Sequence, residues 1–327
     1  MTVRHLVLGA LAALGLALPA VAADPFPSRT ITLVVPLAAG TGMDTLARLY
    51  ADDLQKSLGK PVVVENQPGA AMMMAASSVA RAAPDGHTLL VAAIAPLAIN
   101  QTLYKKIAYD PDKDFVPIAL YAKSPFVLVV NPALGVGSVE ALLQRARASA
   151  ATPLTYSTPG AGFLQHLAME DMKQRFGFLA THVPYRSSPQ AINDVVAGHV
   201  QASFAEMGAS LALIRDGQLK ALAVTSLEPL ATLPGVPTLA AATGVPGNEA
   251  VSWHVLVAPA ATPREVVERL HAEMKRITGA PEFQSKLAAV GLIPVTPLSV
   301  DETMAYIRAE RAKWGGVVKA LGLEGSQ

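Results

Sequence analysis

A loop of small residues near the start of the chain has the composition of an anion-binding turn; it consists of Gly40, Thr41, Gly42, Met43 and Asp44. An apolar, β-branched run precedes it at 31–35, and a helical spacing of apolar residues follows at 46–58. Glycine lets the backbone approach a bound molecule closely, and the first N–H groups of a helix favour an anion. The loop could therefore hold a small carboxylate or phosphate without a basic side chain. A βα turn that needs glycine only for its φ angles, with nothing bound, is the alternative.

The same strand, Gly-x-Gly loop and helix pattern occurs again in the middle of the chain. Its candidate binding residues are Ser157, Thr158, Gly160, Ala161, Gly162, Phe163 and His166. Ligands of open α/β sheets lie at the carboxyl ends of the strands. Two α/β units whose helix N-termini face each other across a cleft are a common arrangement for holding a small anion. The first loop lacks the third glycine of a dinucleotide-binding fingerprint, so it does not favour a nucleotide cofactor.

The chain carries none of three common catalytic motifs. It has no Gly-x-Ser-x-Gly, no His-Glu-x-x-His and no Walker loop. The seven histidines are scattered, and no two of them stand at helical spacing. His166 and Glu206 each follow a strand pattern and could enter a cleft, although a surface position suits both. We therefore expect a non-enzymatic protein with no metal and no cofactor. A periplasmic enzyme that acts on a small acid through His166 or Glu206 is the alternative.

Composition limits the class of protein. The 327 residues are 51% hydrophobic and 16% charged, which suits about two well-packed domains. The net charge of +1 gives no electrostatic case for nucleic acid or for an anionic membrane. Cysteine is absent, so disulfides, thiol nucleophiles and thiolate metal sites are excluded.

The first residues have the pattern of an export signal. Arg4 and His5 form a short basic start, an apolar run covers 6–18, and small residues follow at 19–23. The run is too short to span a bilayer comfortably. We expect a signal peptide over residues 1–23, cleaved near Ala22 or Ala23, and a periplasmic mature protein.

From residue 31 onward the sequence alternates strand and helix patterns, which is typical of an α/β fold with mostly parallel sheets. Residues 115–130 favour two strands split at 123–125, and the proline-rich stretch 228–246 favours a connector. Amphipathic helices are predicted over 264–278, 281–289 and 300–321.

Seven motifs, in order over nearly the whole mature chain, resemble one family. They are Phe26-Pro-Ser-Arg-Thr-Ile-Thr-Leu-Val-Val-Pro36, Val64-Glu-Asn-Gln-Pro-Gly-Ala70, Ala80-Arg-Ala-Ala-Pro-Asp-Gly86, Tyr156-Ser-Thr-Pro-Gly-Ala-Gly162, His182-Val-Pro-Tyr-Arg186, Leu219-Lys-Ala-Leu-Ala-Val-Thr225 and Leu233-Pro-Gly-Val-Pro-Thr238. The sequence resembles the solute-binding receptors of tripartite tricarboxylate transporters, the Bug family. This order of motifs is more specific than either loop alone.

The resemblance implies a two-lobed, periplasmic-binding-protein type II fold with a ligand cleft between the lobes. We expect residues 24–122 and 227–327 to form lobe 1, and residues 123–226 to form lobe 2. It also implies a receptor that delivers a small organic acid to a membrane permease. A receptor that presents its ligand to a membrane sensor is an alternative, and we expect a monomer. The family's binding loops correspond to 37–44, 70–74 and 157–166, with Tyr185, Ala205 and Glu206 nearby.

The chain departs from the family's usual pattern at the second loop. Where the family usually has a glycine-rich loop with a polar residue after Pro-Gly-Ala, this chain has Ala71 followed by Met72, Met73 and Met74. Phe163 stands where the family often has serine or threonine. We expect a ligand carboxylate to be held by the backbone N–H groups of 40–43 and 160–162 and by the hydroxyls of Thr41 and Ser157. We expect the ligand to have an apolar or aromatic body, which contacts Phe163 and one or two of the methionines. Methionines that only fill the core are the alternative.

Overall fold

The computed structural model describes residues 26–148 and 151–327. The predicted signal peptide and its cleavage near Ala22 or Ala23 lie outside these residues. Within the described part of the chain, no helix combines the length and the apolar character needed to cross a membrane.

Strands and helices alternate along the chain, as the sequence pattern predicts. The strands are β1 Ile31–Val35, β2 Val62–Asn66, β3 Thr88–Ala93, β4 Phe115–Val130, β5 Leu154–Thr158, β6 Ala180–Pro184, β7 Ala202–Glu206, β8 Lys220–Val224, β9 Val251–Pro259 and β10 Ile293–Pro294. The helices are α1 Gly42–Leu58, α2 Met73–Ala80, α3 Asn100–Leu103, α4 Val139–Ala148, α5 Leu164–Phe176, α6 Ser188–Val196, α7 Met207–Arg215, α8 Leu239–Thr243, α9 Arg264–Gly279, α10 Pro281–Ala289 and α11 Val300–Ala320.

The strands form two sheets that share β4. The first sheet has the order β2-β1-β3-β9-β4-β10, with β1, β2 and β3 parallel and β9 antiparallel to β3 and β4. The second has the order β8-β4-β7-β5-β6, with β5 parallel to β6 and β7. The carboxyl ends of the parallel strands therefore meet at one edge in each sheet, and the loops that begin α1, α5, α6 and α7 lie there.

β4 is one continuous strand, which corrects the prediction of two strands split at 123–125. Its residues from Phe115 to Pro125 pair with β9, and those from Phe126 to Val130 pair with β7 and β8. The turn propensity of Ser124 and Pro125 is overridden because both residues pair with the start of β9. The same backbone thus passes directly from the first sheet into the second.

The chain returns to the first sheet near Ala250, whose N–H donates to the Thr225 carbonyl at 3.1 Å. Between these residues, Thr238 forms a bridge with Val224, and α8 packs against α4 and β8. These contacts group residues up to about 249 with the second sheet. They favour placing the point where the chain re-enters the first lobe near residue 250 and not at 226. The lobe limits themselves stay a prediction.

α1 packs through the apolar face that its spacing predicts. Leu46, Tyr50, Leu54 and Leu58 are all buried. The Tyr50 ring lies between Tyr121 and Phe283, with centroid distances of 4.6 and 4.5 Å, and its hydroxyl is 3.0 Å from Thr278 Oγ1. Burying each large side chain contributes roughly 1.5–3 kcal/mol. This packing anchors the helix whose first turn carries the Gly40–Asp44 loop.

His254 lies where β4 leaves the first sheet. It is 6% exposed, and its Nε2 is 2.7 Å from Ser124 Oγ. Burial lowers the pKa of His254 to about 4. The unfolded chain binds this proton near pH 6.5, so this contribution to stability is complete above that pH and is lost as the pH falls towards 4.

We expect His254→Gln to reduce the acid sensitivity of the fold. By linkage, wild type should lose roughly 3 kcal/mol of unfolding free energy through His254 between neutral pH and about pH 4. The variant should keep this free energy because glutamine does not titrate. Urea unfolding at about pH 7 and about pH 4.5 measures it. His199→Gln is the control, because that side chain is 72% exposed. An equal acid slope for wild type and His254→Gln would contradict the assignment.

Candidate functional site

The two Gly-x-Gly loops lie at the carboxyl ends of β1 and β5 and lead into α1 and α5. The structure brings them towards each other through Phe163, whose side chain packs against the apolar cluster that contains Met43 and Met72. Gly162 meets the other lobe directly, because a Cβ at this position would lie 2.1 Å from Leu103 Cδ2. The candidate site is thus the region between these loops.

Asp44 positions the first loop from within. Its carboxylate accepts hydrogen bonds from Gly40 N–H at 2.9 Å, from Arg48 Nε at 3.0 Å and Nη2 at 2.9 Å, and from Asn66 Nδ2 at 2.9 Å. Burial raises the pKa of Asp44, but these hydrogen bonds outweigh it and hold the pKa below its usual value. Both oxygens are occupied and the residue is 3% exposed, so the carboxylate of Asp44 shapes the loop, and its contact with a ligand stays a prediction.

Thr41 caps α1, and its hydroxyl is used inside the loop. The hydroxyl accepts from Asp44 N–H at 3.4 Å and donates to the Ala38 carbonyl at 2.9 Å. Gly40 N–H is already bound to Asp44. The hydrogen bonds found among the described residues give no protein acceptor to the N–H groups of Gly42 and Met43, the first two residues of α1. These two groups are the donors that the first loop offers to a ligand.

The second loop is held by two histidines. Gly162 N–H donates to His166 Nδ1 at 3.2 Å, while Gly160 N–H donates to the Thr158 hydroxyl at 3.2 Å. Thr158 Oγ1 also lies 2.6 Å from His182 Nε2. The N–H groups of Leu164 and Gln165, which begin α5, have no acceptor among the described residues. The N–H groups of Gly160 and Gly162 are therefore engaged within the protein, whereas those at the start of α5 can donate to a ligand.

The two imidazole rings stack on each other. Their centroids are 4.2 Å apart at 27°, and the Tyr156 ring stacks on His182 at 5.1 Å. Burial lowers the pKa of His166, and burial together with His166 lowers the pKa of His182 to about 4. Both rings are therefore neutral near pH 7, which leaves His166 Nδ1 free to accept from Gly162.

Two predicted ligand contacts belong to the core of the second lobe. Ser157 is 0% exposed, and its hydroxyl donates to the Ala191 carbonyl at 2.8 Å. Ala205 is 2% exposed inside an apolar cluster with Val127 and Met207. Side chains alternate across the two faces of a strand, and here both faces are covered, so neither residue offers its side chain to the cleft.

The loop between β2 and α2 has an unusual backbone. Ala70, Ala71 and Met72 have φ angles of +45°, +48° and +72°, in the left-handed region that disfavours residues with a Cβ. The carbonyl of Ala71 accepts a hydrogen bond at 3.0 Å from Asn100, which is 1% exposed. This turn precedes α2, which begins at Met73, and Met72 is buried in the apolar cluster of the first sheet.

The three methionines point in different directions. Met72 is 8% exposed in the cluster with Met43 and Phe163, and Met73 is partly buried against the other face of the sheet. Met74 is 57% exposed and lies over Gly69, in a groove that runs along α2 towards Arg81. Of the three, Met72 belongs to the cluster against which Phe163 packs, and ligand contact by any of the methionines stays a prediction.

Tyr185 and Glu206 lie at the same edge of the second sheet. Tyr185 N–H donates to the Thr158 carbonyl at 2.9 Å, and its hydroxyl donates to Asp194. Glu206 ends β7 and accepts a hydrogen bond from Ser188 at 3.0 Å. Ligand contact by these residues, and by Ala70, Ala161 and the glycines, stays a prediction.

Sequence reasoning missed the residues that support the loops. Arg48, Asn66, Asn100 and His182 hold Asp44, the Ala71 carbonyl and Thr158. Arg48 stands four residues after Asp44, a spacing that signals an ion pair on a helix. The other contacts join segments that are distant in sequence and left no local signal.

Known proteins share this fold and arrangement of loops. The tripartite tricarboxylate transporter family receptor matches residues 46–323. BugT of Bordetella pertussis is 35% identical over 315 residues, covering 95% of each chain. Rpa4515 of R. palustris, solved with adipate, has a TM-score of 0.83 and 34% identity, covering 91% of this chain and 98% of its own. MatC from Rhodopseudomonas palustris, solved with bound malate, has a TM-score of 0.79 and 31% identity, covering 90% and 100%.

The fold and its facing loops define a two-lobed solute-binding protein of the periplasmic type II class. The chain belongs to the receptor family of tripartite tricarboxylate transporters. The family resemblance and the fold predicted from the sequence are confirmed. The family consists of receptors and not of enzymes, and its membership implies a periplasmic location.

We expect Ala71→Gly to stabilise the protein, because glycine adopts the left-handed conformation at 71 without a Cβ clash. The gain in unfolding free energy should be about 1 kcal/mol or slightly less, since glycine also loosens the unfolded chain. Urea unfolding measures it. Ala288→Gly, at an exposed position inside α10, should instead lower the value by about 0.5–1 kcal/mol. A destabilised Ala71→Gly would show that the turn carries no strain.

We expect His166→Leu to loosen the second loop and His166→Asn to preserve it. Asparagine places an oxygen near the position of Nδ1, whereas leucine leaves Gly162 N–H without an acceptor. A lost hydrogen bond of about 1 kcal/mol corresponds to roughly fivefold faster exchange. Amide hydrogen exchange over 158–163 measures it, with α9 as the internal reference. Equal protection in both variants would contradict the role given to His166.

Proposed function

We propose that this receptor captures a small carboxylic acid between its lobes and delivers it to the membrane permease of a tripartite tricarboxylate transporter. The observation that carries the proposal is a pair of helix starts, each following the carboxyl end of a strand, whose first N–H groups have no acceptor among the described residues. These groups belong to Gly42 and Met43 and to Leu164 and Gln165. Two relatives support it, because Rpa4515 was solved with adipate and MatC with malate.

The carboxylate is held by backbone donors, not by a cation. Arg48, the basic residue beside the first loop, has both its Nε and an Nη engaged by Asp44. Arg186 follows the second loop region and is exposed. Each helix start contributes about 0.3–1 kcal/mol through its dipole, and charge-assisted hydrogen bonds add about 1.5–3 kcal/mol each. Several together reach the roughly −8 kcal/mol of micromolar binding.

The ligand body contacts the apolar surface formed by Met43, Met72 and Phe163. These side chains belong to one cluster, with contributions from both lobes. Burying apolar area contributes roughly 25 cal/mol per Å², and a methionine sulfur against an aromatic ring adds about 0.3–1.5 kcal/mol. A monocarboxylate with an apolar or aromatic body fits this surface. The additional charges of citrate would lose their hydration without compensation.

Ligand capture proceeds by closure of one lobe on the other. β4 and the segment near Ala250 are the two connections between the sheets, so closure needs only a change at these points. The mature protein begins after cleavage near Ala22 or Ala23 and acts as a monomer. Size-exclusion chromatography with light scattering, and N-terminal sequencing of exported protein, test these two points.

We expect benzoate to stabilise the purified receptor more than succinate, and citrate not at all. Saturation at a hundredfold excess over Kd adds about 2.7 kcal/mol to the unfolding free energy, which a thermal shift detects and calorimetry converts to Kd. Mass analysis of the recovered acid should return it unchanged. Tight citrate binding with none for benzoate would overturn the proposed ligand class, and turnover would overturn the receptor.

Phe163→Ser should weaken benzoate binding about tenfold and leave succinate nearly unchanged, because it removes apolar area from one wall. Leu179→Ser is the matched control, since Leu179 is also in the second lobe but 57% exposed. Unchanged selectivity in Phe163→Ser would contradict the apolar wall. Loss of solute uptake on deleting the permease genes distinguishes transport from presentation to a sensor.

A further inference from the structure

One carboxyl group of the second lobe is contacted from several loops at once. Glu206 ends β7 and directly precedes α7. Its Oε1 accepts from the hydroxyl of Ser188, the first residue of α6, at 3.0 Å. Gln165, the second residue of α5, lies close enough to the carboxyl group to oppose the rise of its pKa. The starts of three helices therefore converge on this one side chain.

The Glu206 carboxyl group lies on the face of the second lobe that meets the first lobe. The next residue, Met207, touches the first lobe, because a Cβ at Gly291 would lie 2.6 Å from Met207 Cβ. Phe163, two residues before Gln165, packs into the apolar cluster of the first lobe. Glu206 is partly exposed, so a small molecule between the lobes can reach it.

Glu206 differs from Glu170 and Asp44 in having no cationic partner among the described residues. Glu170 is bound by Lys173 at 2.7 and 2.8 Å, and Asp44 by Arg48. Over residues 26–148 and 151–327, no ion pair involves Glu206. Burial raises the pKa of Glu206, and the groups that oppose this rise, Ser188 and Gln165, are neutral. A carboxylate that served only the fold would be paired, since an unpaired buried charge is costly.

We propose that Glu206 is a specificity-determining residue, which accepts a hydrogen bond from a hydroxyl or ammonium group of the ligand and rejects a second ligand carboxylate. An ionised carboxylate only accepts hydrogen bonds, and a like charge beside it is disfavoured. The ligand's own carboxylate then lies at the start of α1, and its donor group lies beside β7. This assignment rests on the proposed function and narrows its ligand class.

The test compares wild type with Glu206→Gln in calorimetry, using acids of matched shape. One series is benzoate, para-hydroxymethylbenzoate and terephthalate; the other is hexanoate, omega-hydroxyhexanoate and adipate. In wild type the hydroxy acid should bind best and the dicarboxylate worst. Glu206→Gln removes the charge and keeps the shape, so the affinity ratio of dicarboxylate to monocarboxylate should rise about tenfold or more, while the advantage of the hydroxy acid shrinks.

Glu140→Gln is the control, because it removes one exposed carboxylate from the same lobe and should leave every ratio unchanged. Glu206→Ala, compared with wild type by thermal unfolding without ligand, provides a second charge-free variant. If wild type binds none of these acids, the proposed function fails and the inference with it. If wild type binds them and both Glu206 variants keep its affinity ratios, the inference alone is wrong.

Discussion

The shared strand β4 is the constraint on which the rest of this structure depends. The first part of β4 pairs with β9, and its last part pairs with β7 and β8. The two sheets are therefore joined directly through one strand. The loops at the carboxyl ends of β1 and β5 then lie close enough for Phe163 and Gly162 to contact the opposite lobe. A binding region built from two distant segments follows from this continuity.

Within that frame, the loops are shaped by their own polar groups. Asp44 and Arg48 hold the first loop, and the His166 and His182 pair holds the second. These contacts consume the N–H groups of Gly40, Gly160 and Gly162. Among the described residues, the N–H groups at the first residues of α1 and α5 have no acceptor, so they can serve a ligand. The physical gain is preorganisation, because donors on fixed helix starts need little reordering when an anion binds.

The loop before α2 combines backbone strain with an apolar surface. Ala70, Ala71 and Met72 occupy left-handed conformations that glycine would adopt more easily. Met72 is buried in the same apolar cluster as Met43, and Phe163 packs against that cluster. A glycine at position 72 would contribute no side chain there. The chain thus accepts a local cost of about 1 kcal/mol per residue at the place where a side chain can contact a ligand.

The sequence by itself determined the alternation of strands and helices, the long amphipathic helices and the two Gly-x-Gly loops, because periodicity and turn residues are local signals. The ordered motifs determined the family. Tertiary structure alone decided that β4 is continuous, since pairing with β9 outweighs the turn propensity of Ser124 and Pro125. It also decided that the Ser157 hydroxyl is buried against Ala191, that Met74 faces outward while Met72 faces inward, and that Glu206 has no cationic partner within the described part of the chain. These outcomes depend on contacts between residues far apart in the chain, which no local pattern records.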